Sequence, residues 1–476
     1  MGAPDPIPLF GLGVQGKSRP ANAQRRVNLY YEMQADQDRA RMVAYQVPGL
    51  DTAFVDFGAM PSRGVIAPPT SDYHFVVHKG SFWQVDNAGQ ITSRGSIGTT
   101  SGKVSMAFDG RYIVVVDGDK GYYYDLQAPA TPIAEITDAD FPDGAMSVEE
   151  IDGFFVVEAD DGQFYISDYG DPTAWPGDFA TAETQPDGIL RVLRDHQDLC
   201  LLGSESTEFW TNTGAPDFPF ERIQGTTQEY GCAARHSIAR FDGAYALLAR
   251  NVENAVFAAV LRGYRFQRIS NHELESRWRA FGSFSDAVGG GYMLDGHPMY
   301  VLSFPVGGES WLYDGSTNSW SQLKSYGLTR HRGEIYLNFQ NRTLVTDYAS
   351  GKVYRLNPDT YTDAGDPIRW ELVGRHVFDG FGKMRVNRFQ LDVETGVGLA
   401  TGQGSDPQVM LRISRDGGRT FGIERMRSIG RVGEYKDRVI WDKCGRGRDF
   451  VFELAGSDPV PYKILGAGIN ARGATA

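Results

Sequence analysis

From residue 74 onward the chain repeats one unit: a short run of β-branched or aromatic residues, a turn, and a second run ending in aromatics. The first runs are His74–Val77, Tyr112–Val116, Phe154–Val157, Leu199–Leu202, Ala244–Leu248, Met299–Phe304 and Ile335–Phe339. Their partners are Phe82–Val85, Tyr122–Tyr124, Phe164–Ile166, Phe209–Trp210, Ala255–Ala258, Trp311–Tyr313 and Val353–Tyr354. Successive starts lie 38, 42, 45, 45, 55 and 36 residues apart. Helical periodicity is scarce here, so each unit reads as a hairpin. One small antiparallel sheet cannot bury both its faces, whereas sheets set radially bury each face on a neighbour and leave only short edges. Hairpin units at a period in the forties therefore predict an all-β chain with a β-propeller of about seven blades, six and eight being the adjacent counts. A set of irregular β-sandwiches is the alternative, since no blade repeats a signature dipeptide.

The turns fit this reading. Asp117-Gly118-Asp119-Lys120-Gly121, Asp160-Asp161-Gly162 and Asp314-Gly315-Ser316 supply residues that tolerate positive φ. The chain carries 57 glycines, about 12% of its positions against a usual ~7%. Past Pro367 the beat stops, and longer alternating strands follow: Ile368–Val373, Arg385–Glu394, Gln408–Ser414, Val439–Trp441 and Phe450–Leu454. The expected division is an extended N-terminal arm over 1–50, with a short helix within Ala21–Met33, a propeller over 51–365, and a C-terminal β-sandwich or barrel over 366–476.

Several function classes are disfavoured by composition. Cysteine occurs only at 200, 232 and 444, with no C-x-x-C pair, which argues against a disulfide framework or zinc knuckle and for maturation in a reducing cytosol. The start, Met1-Gly2-Ala3-Pro4-Asp5-Pro6, lacks the pattern of a signal peptide, and no segment approaches the ~20 apolar residues of a membrane span. With 47 Lys and Arg against 60 Asp and Glu, the net charge of −13 argues against a surface built to grip phosphates.

No motif makes a convincing catalytic site. Gly11-Leu12-Gly13-Val14-Gln15-Gly16-Lys17-Ser18 matches the P-loop pattern G-x-x-x-x-G-K-[ST], and Tyr112–Val116 followed by Asp117 imitates a strand ending in a metal-binding aspartate. A P-loop needs a buried strand before it and a helix after it, but only Ile7–Phe10 precedes this one and Pro20 closes it. Asp117 opens a hairpin. Acids such as Asp160, Asp161 and Glu208 are too scattered to nominate a glycosidase pair. His272-Glu273 lacks the second histidine of a zinc-protease helix, no G-x-S-x-G elbow is present, and the 8 histidines form no ligand-spaced cluster. Neither cofactor nor metal is expected. Ser414-x-Asp416-x-Gly418-x-Thr420-Phe421 fits the Asp-box, a hairpin staple in which aspartate and hydroxyls bond turn backbone groups. Basic residues gather in the arm (Arg19, Arg25, Arg26) and between Arg425 and Arg448, so Arg25, Arg26, Arg438 and Arg446 are candidate subunit or adaptor contacts, with a plain solvated strand surface as the alternative.

One resemblance spans nearly the whole chain. Ala21–Tyr30 with Glu32, Val47-Pro48-Gly49-Leu50, Ser62-Arg63-Gly64-Val65 and Val104-Ser105-Met106-Ala107 come first. Ile166-Ser167-Asp168, Gln185-Pro186-Asp187-Gly188-Ile189, Gly203-Ser204 with Thr207–Trp210, and Thr213-Gly214-Ala215 follow. Ser414–Phe421, Asp437-Arg438-Val439-Ile440-Trp441 and Gly445-Arg446 close the series. In that order they resemble the tail-hub, or packaged-DNA stabilisation, proteins of short-tailed bacteriophages. The resemblance implies a structural virion protein, not an enzyme: a propeller with an added β-domain, assembled in the host cytoplasm as a hexameric ring in the tail. Such a ring lies beneath the portal and its head-to-tail adaptor, meets a tail needle, plug, fibre or tailspike, and retains and then ejects double-stranded DNA as transient cargo. Six copies would bring −78 formal charges around the duplex, which predicts an acidic or neutral bore along which DNA slides. The other reading is a carbohydrate-active propeller, either a glycosidase or a glycan-binding receptor-recognition protein.

Overall fold

The computed structural model describes residues 4–34, 41–159, 162–182, 185, 187–216 and 218–474. Asp160 and Asp161 of one expected turn, and Pro186 of the Gln-Pro-Asp-Gly motif, lie outside these residues. Seven antiparallel sheets follow one another around a closed ring. Blade one holds Ser62–Ile66, His74–His78, Ser81–Val85 and Ile91–Ser96. Blade two holds Ser105–Phe108, Tyr112–Val116, Gly121–Asp125 and Ala134–Glu135; blade three holds Ser147–Ile151, Phe154–Glu158, Gln163–Ile166 and Phe179–Thr181. Blade four runs from Ile189–Asp195 to Phe220–Arg222. In blade five, Tyr230–Cys232 and Ala239–Phe241 both pair with Ala244–Asn251. Blade six runs from Val288–Leu294 to Ser319–Leu323. Blade seven holds Gly333–Phe339, Arg342–Asp347 and Ser350–Asn357, and its fourth strand is Val55–Ala59, from before blade one.

The middle strands read as unbroken apolar runs because both their faces are covered. In Tyr112–Val116, Ile113 and Val115 pack with Phe75, Val77 and Phe82 of blade one, while Val114 and Val116 pack with Val148, Phe155 and Val157 of blade three. This is the radial burial that a lone hairpin cannot achieve.

The N-terminal segment is neither a free arm nor helical. Arg25–Val27 and Leu29–Met33 are strands, because Val27, Tyr30 and Tyr31 favour extended backbone and unpaired strands stand on either side to receive them. Arg25–Val27 pairs parallel with the outer strand of blade six and antiparallel with Trp370–Val373. It thereby starts one sheet of a sandwich, continued by Trp370–Val373, Asp449–Gly456, Gln408–Ser414 and Arg425–Ser428. The facing sheet is ordered Leu29–Met33, Met42–Gln46, Lys463–Ala474, Lys383–Val393 and Val439–Gly447. Two separate sheets make the C-terminal unit a sandwich, not a barrel. Its core holds Trp370, Phe389, Trp441, Phe452 and Tyr462, with Phe389 stacked on Phe452 at 4.6 Å. Leu9 joins this core, and Val14 joins the apolar cluster of blades five and six, so the first residues span both units.

Candidate functional site

The conspicuous residues near the start of the chain hold the two units together. Asn28 takes φ of +54°, and its carboxamide donates to the carbonyls of Lys324 (2.9 Å) and Arg369 (2.8 Å) while accepting from the Lys324 amide at 2.9 Å. Arg26 is 5% exposed; its guanidinium lies 4.0 Å over the Tyr31 ring and donates to the Trp320 carbonyl at 2.6 Å. Arg25 is salt-bridged to Glu371 at 2.6 Å. Arg26 is thus committed within the chain, where burial of an arginine demands partners, while Arg25, whose side chain is 37% exposed, keeps a face open beside its salt bridge. The P-loop look-alike has neither flanking strand nor helix; the Gly16 amide donates to the Asn22 carbonyl (3.1 Å) and the Asn22 side chain to the Val14 carbonyl (2.9 Å). Asp117 accepts from the amides of Asp119 and Lys120 and from the Thr99 hydroxyl, which is turn chemistry.

The other motif residues also tie turns. Arg63 donates to the carbonyls of Lys79, Thr99, Ser101 and Gly102 and to the Thr99 hydroxyl, fastening blade one to the link into blade two. Asp187 accepts from the amides of Glu205 (2.6 Å) and Ser206 (2.8 Å) across blade four.

In the Asp-box, Ser414 Oγ accepts from the Gly418 amide at 2.9 Å and donates to Asp416 at 2.7 Å. Asp416 also accepts from the amides of Arg419 (3.1 Å) and Thr420 (3.0 Å) and from the Thr420 hydroxyl (2.6 Å). Desolvation raises its pKa, but these hydrogen bonds outweigh it and hold the carboxyl at about 2. Gly417 and Gly418 have φ of +72° and +81°, and a Cβ on Gly418 would stand 2.7 Å from the Ala23 side chain. Phe421 packs with Ala23, Val373 and Val451. The box seats the N-terminal segment on the sandwich.

Arg438 and Arg446 are exposed. Arg446 lines a concavity of about 490 Å³ with Lys383, Arg415, Arg419 and Arg448. Its two acids are committed elsewhere: Asp416 to the hairpin, and Asp449 to His376 at 2.8 Å. A second concavity of about 600 Å³, between blade six and the sandwich, contains Glu309, bonded to Arg277, and Glu371, bonded to Arg25 and Arg369. Both carboxylates are thus occupied by arginine guanidinium groups, with neither set opposite a second free carboxylate among the described residues as a glycosidase pair would be. Among the described residues no group of His, Cys, Asp and Glu could hold a metal ion, and no helix is long and apolar enough to cross a membrane.

A charged network that no sequence motif marks ties non-adjacent blades to one another. Arg191 of blade four donates to Ser105 of blade two at 3.0 Å, Arg235 pairs with Glu158 of blade three, and Lys103 pairs with Glu334 of blade seven at 2.9 Å. Burial together with Arg191, Lys103 and Arg235 pushes the pKa of His236 down to about 3, and burial raises that of Glu149. The signal was present as isolated charges inside apolar strands, Arg191 in Ile-Leu-Arg-Val-Leu for one.

Two family models span most of the chain in the observed order. The first, described as "Bacteriophage P22 Gp10, beta-propeller", matches residues 7–361, and the second, "Bacteriophage P22 Gp10, beta-sandwich", matches 369–472. Over 338 residues the chain is 23% identical to the tail hub protein gp10 of Salmonella phage P22, covering 68% of each protein. Among solved structures it overlaps the extracellular domain of a hybrid two-component system from B. thetaiotaomicron (8% identity, TM-score 0.45), spanning 65% of this chain and 40% of that one. It also overlaps the WD40 β-propeller domain of Doa1 (12% identity, TM-score 0.39; 65% of this chain and 96% of that one).

Proposed function

Because this chain belongs to the Bacteriophage P22 Gp10 family of tail hub proteins, through its propeller and its sandwich alike, we propose that it builds a hexameric ring beneath the portal and adaptor of a short phage tail, prolongs the DNA channel, and retains and then releases the genome. The family consists of structural tail proteins, not enzymes. One observation supports a conduit between copies in preference to one through a single propeller. Side chains reach from blade four to blade two (Arg191 to Ser105) and from blade five to blade three (Arg235 to Glu158), contacts that draw the blades together at a spacing far below the width of a duplex, whose major groove alone is about 12 Å wide. The net charge of −13 per copy supports a bore that repels the backbone it passes.

The partners in this reading are the adaptor above, a needle, plug or fibre below, and DNA held without sequence readout. Electron microscopy of the purified protein, alone and with the adaptor, tests it. Rings with a central opening wide enough for duplex DNA are expected. A chain that stays monomeric with the adaptor present, or a ring whose lumen is lined by Arg and Lys, would overturn the reading.

A further inference from the structure

We propose that copies of this chain join head to tail, the basic far edge of one sandwich against the acidic sector formed by blades two and three of the next. The proposal rests on the ring reading above and names the surfaces that would close it.

Charge is sharply divided along the sequence. Residues 104–188, which form blades two and three with their links, carry 19 Asp and Glu against only Arg111 and Lys120. Residues 412–448 carry 11 Arg and Lys against 5 acids. The fold puts these two segments at opposite ends of the molecule. The sandwich is attached at blade six, and three steps around the seven-bladed ring in either direction lead from there to blade two or blade three. Within the sandwich, the sheet that starts at blade six ends on Arg425–Ser428, its strand farthest from the propeller. The facing sheet ends on Val439–Gly447, beside it. Arg425 and Arg427 bridge these two edges by donating to the carbonyls of Asp442 (2.6 Å) and Ile440 (2.9 Å).

Both poles carry the other component of a protein interface, exposed apolar side chains beside the charges. Ile423 is 85% exposed, and Met426, Val432 and Tyr435 are exposed around it. On the acidic pole, Tyr169 is 75% exposed and Phe179 is exposed on the outer strand of blade three. There Lys120 bonds Asp143 at 2.9 Å, and Asp119 and Glu135 bear on the same ammonium, leaving the patch strongly negative.

Opposite poles at opposite ends cannot satisfy each other within one chain. Two different patches meeting give a heterologous contact, which propagates and closes into a ring when its rotation permits. Such a contact also covers the surface most apt to grip passing phosphates, leaving the bore to a remainder whose 34 Lys and Arg nearly balance its 36 Asp and Glu.

The test is a charge swap on the full chain. Arg431→Glu/Lys436→Glu/Arg438→Glu sets three acids against the acidic sector, and Asp119→Lys/Glu135→Lys/Asp143→Lys sets three cations against the basic edge, so each variant repels its own kind at the exchanged positions. Each variant alone is expected to associate at least about tenfold more weakly than the natural chain. Mixed, the two should assemble as alternating rings, which also shows that each is folded. At about 1 M salt, where the screening length is about 3 Å, the natural ring should weaken. If both variants assemble like the natural chain, these surfaces are wrong while the ring stands. A natural chain that never associates overturns both readings. If the first variant assembles normally but loses binding to a DNA duplex at low salt, the basic edge faces the cargo and the head-to-tail assignment falls.

Discussion

His74 and Asn28 show two opposite uses of a buried polar side chain. Asn28 satisfies every group it buries, and its backbone takes a left-handed φ that asparagine tolerates better than most residues. His74 is 1% exposed between Phe54 and Phe339, and neither ring nitrogen has a hydrogen-bond partner among the described residues. Burial pushes its pKa down to about 4, against a smaller upward pull from Asp86. The ring is therefore neutral in the fold and free to protonate in the unfolded chain. Its share of stability is fully present above about pH 6.5 and is lost as the pH falls towards 4, in total about 3 kcal/mol. His74→Phe should leave stability at pH 7 equal or higher and flatten the loss between pH 6.5 and 4, read by thermal unfolding at stepped pH. An unchanged acid profile would show that His74 is not the sensor. Nothing in the sequence marks His74 as buried without a partner, because Phe54 and Phe339 meet over it only when the first and last parts of the propeller join in blade seven.

Hairpins were the most legible elements, since each depends on a local run and a local turn. The closing strand Val55–Ala59 was not legible, because its partner lies almost 300 residues away, at Ser350–Asn357. Propellers closed in this way depend on that pairing to keep the first and last blades together. Val55 is buried beside Val353 and Val76, so Val55→Asp would place a charge among blades one and seven. The expected loss is about 3 kcal/mol or more, measured by urea denaturation, with faster proteolysis of both terminal blades. A variant as stable as the natural chain would mean that the ring is held by blade-to-blade packing alone. The helix expected within Ala21–Met33 failed for a related reason. Propensity there is weak, and empty strand positions on blade six and the sandwich decided the outcome.

At the scale of the molecule, the sandwich is completed by the first fifty residues. Residues 366–476 lack Arg25–Val27, Leu29–Met33 and Met42–Gln46, which leaves two sheet edges and part of the core bare. Expressed alone, that segment should show no fixed near-ultraviolet circular dichroism from Trp370 and Trp441. Joined by a linker to residues 4–50, it should regain the signal and a cooperative transition. A cooperative transition in the short segment alone would make the N-terminal strands an accessory.

The sequence by itself determined the all-β class, the blade repeat, the change of rhythm after Pro367 and the Asp-box turn, because each rests on neighbours within a few residues. It also carried the motif residues Asn28, Arg63 and Asp187, though not their task, since the carbonyls and amides they hold belong to distant turns. Only the tertiary structure decided that the N-terminal segment is a seam, that Arg26 is buried and Arg25 salt-bridged within the chain, that charged side chains tie non-adjacent blades, and that acidic and basic segments stand at opposite ends. Each of these is set by which strand edges remain unpaired once the local hairpins have formed, and that is a property of the assembled sheets.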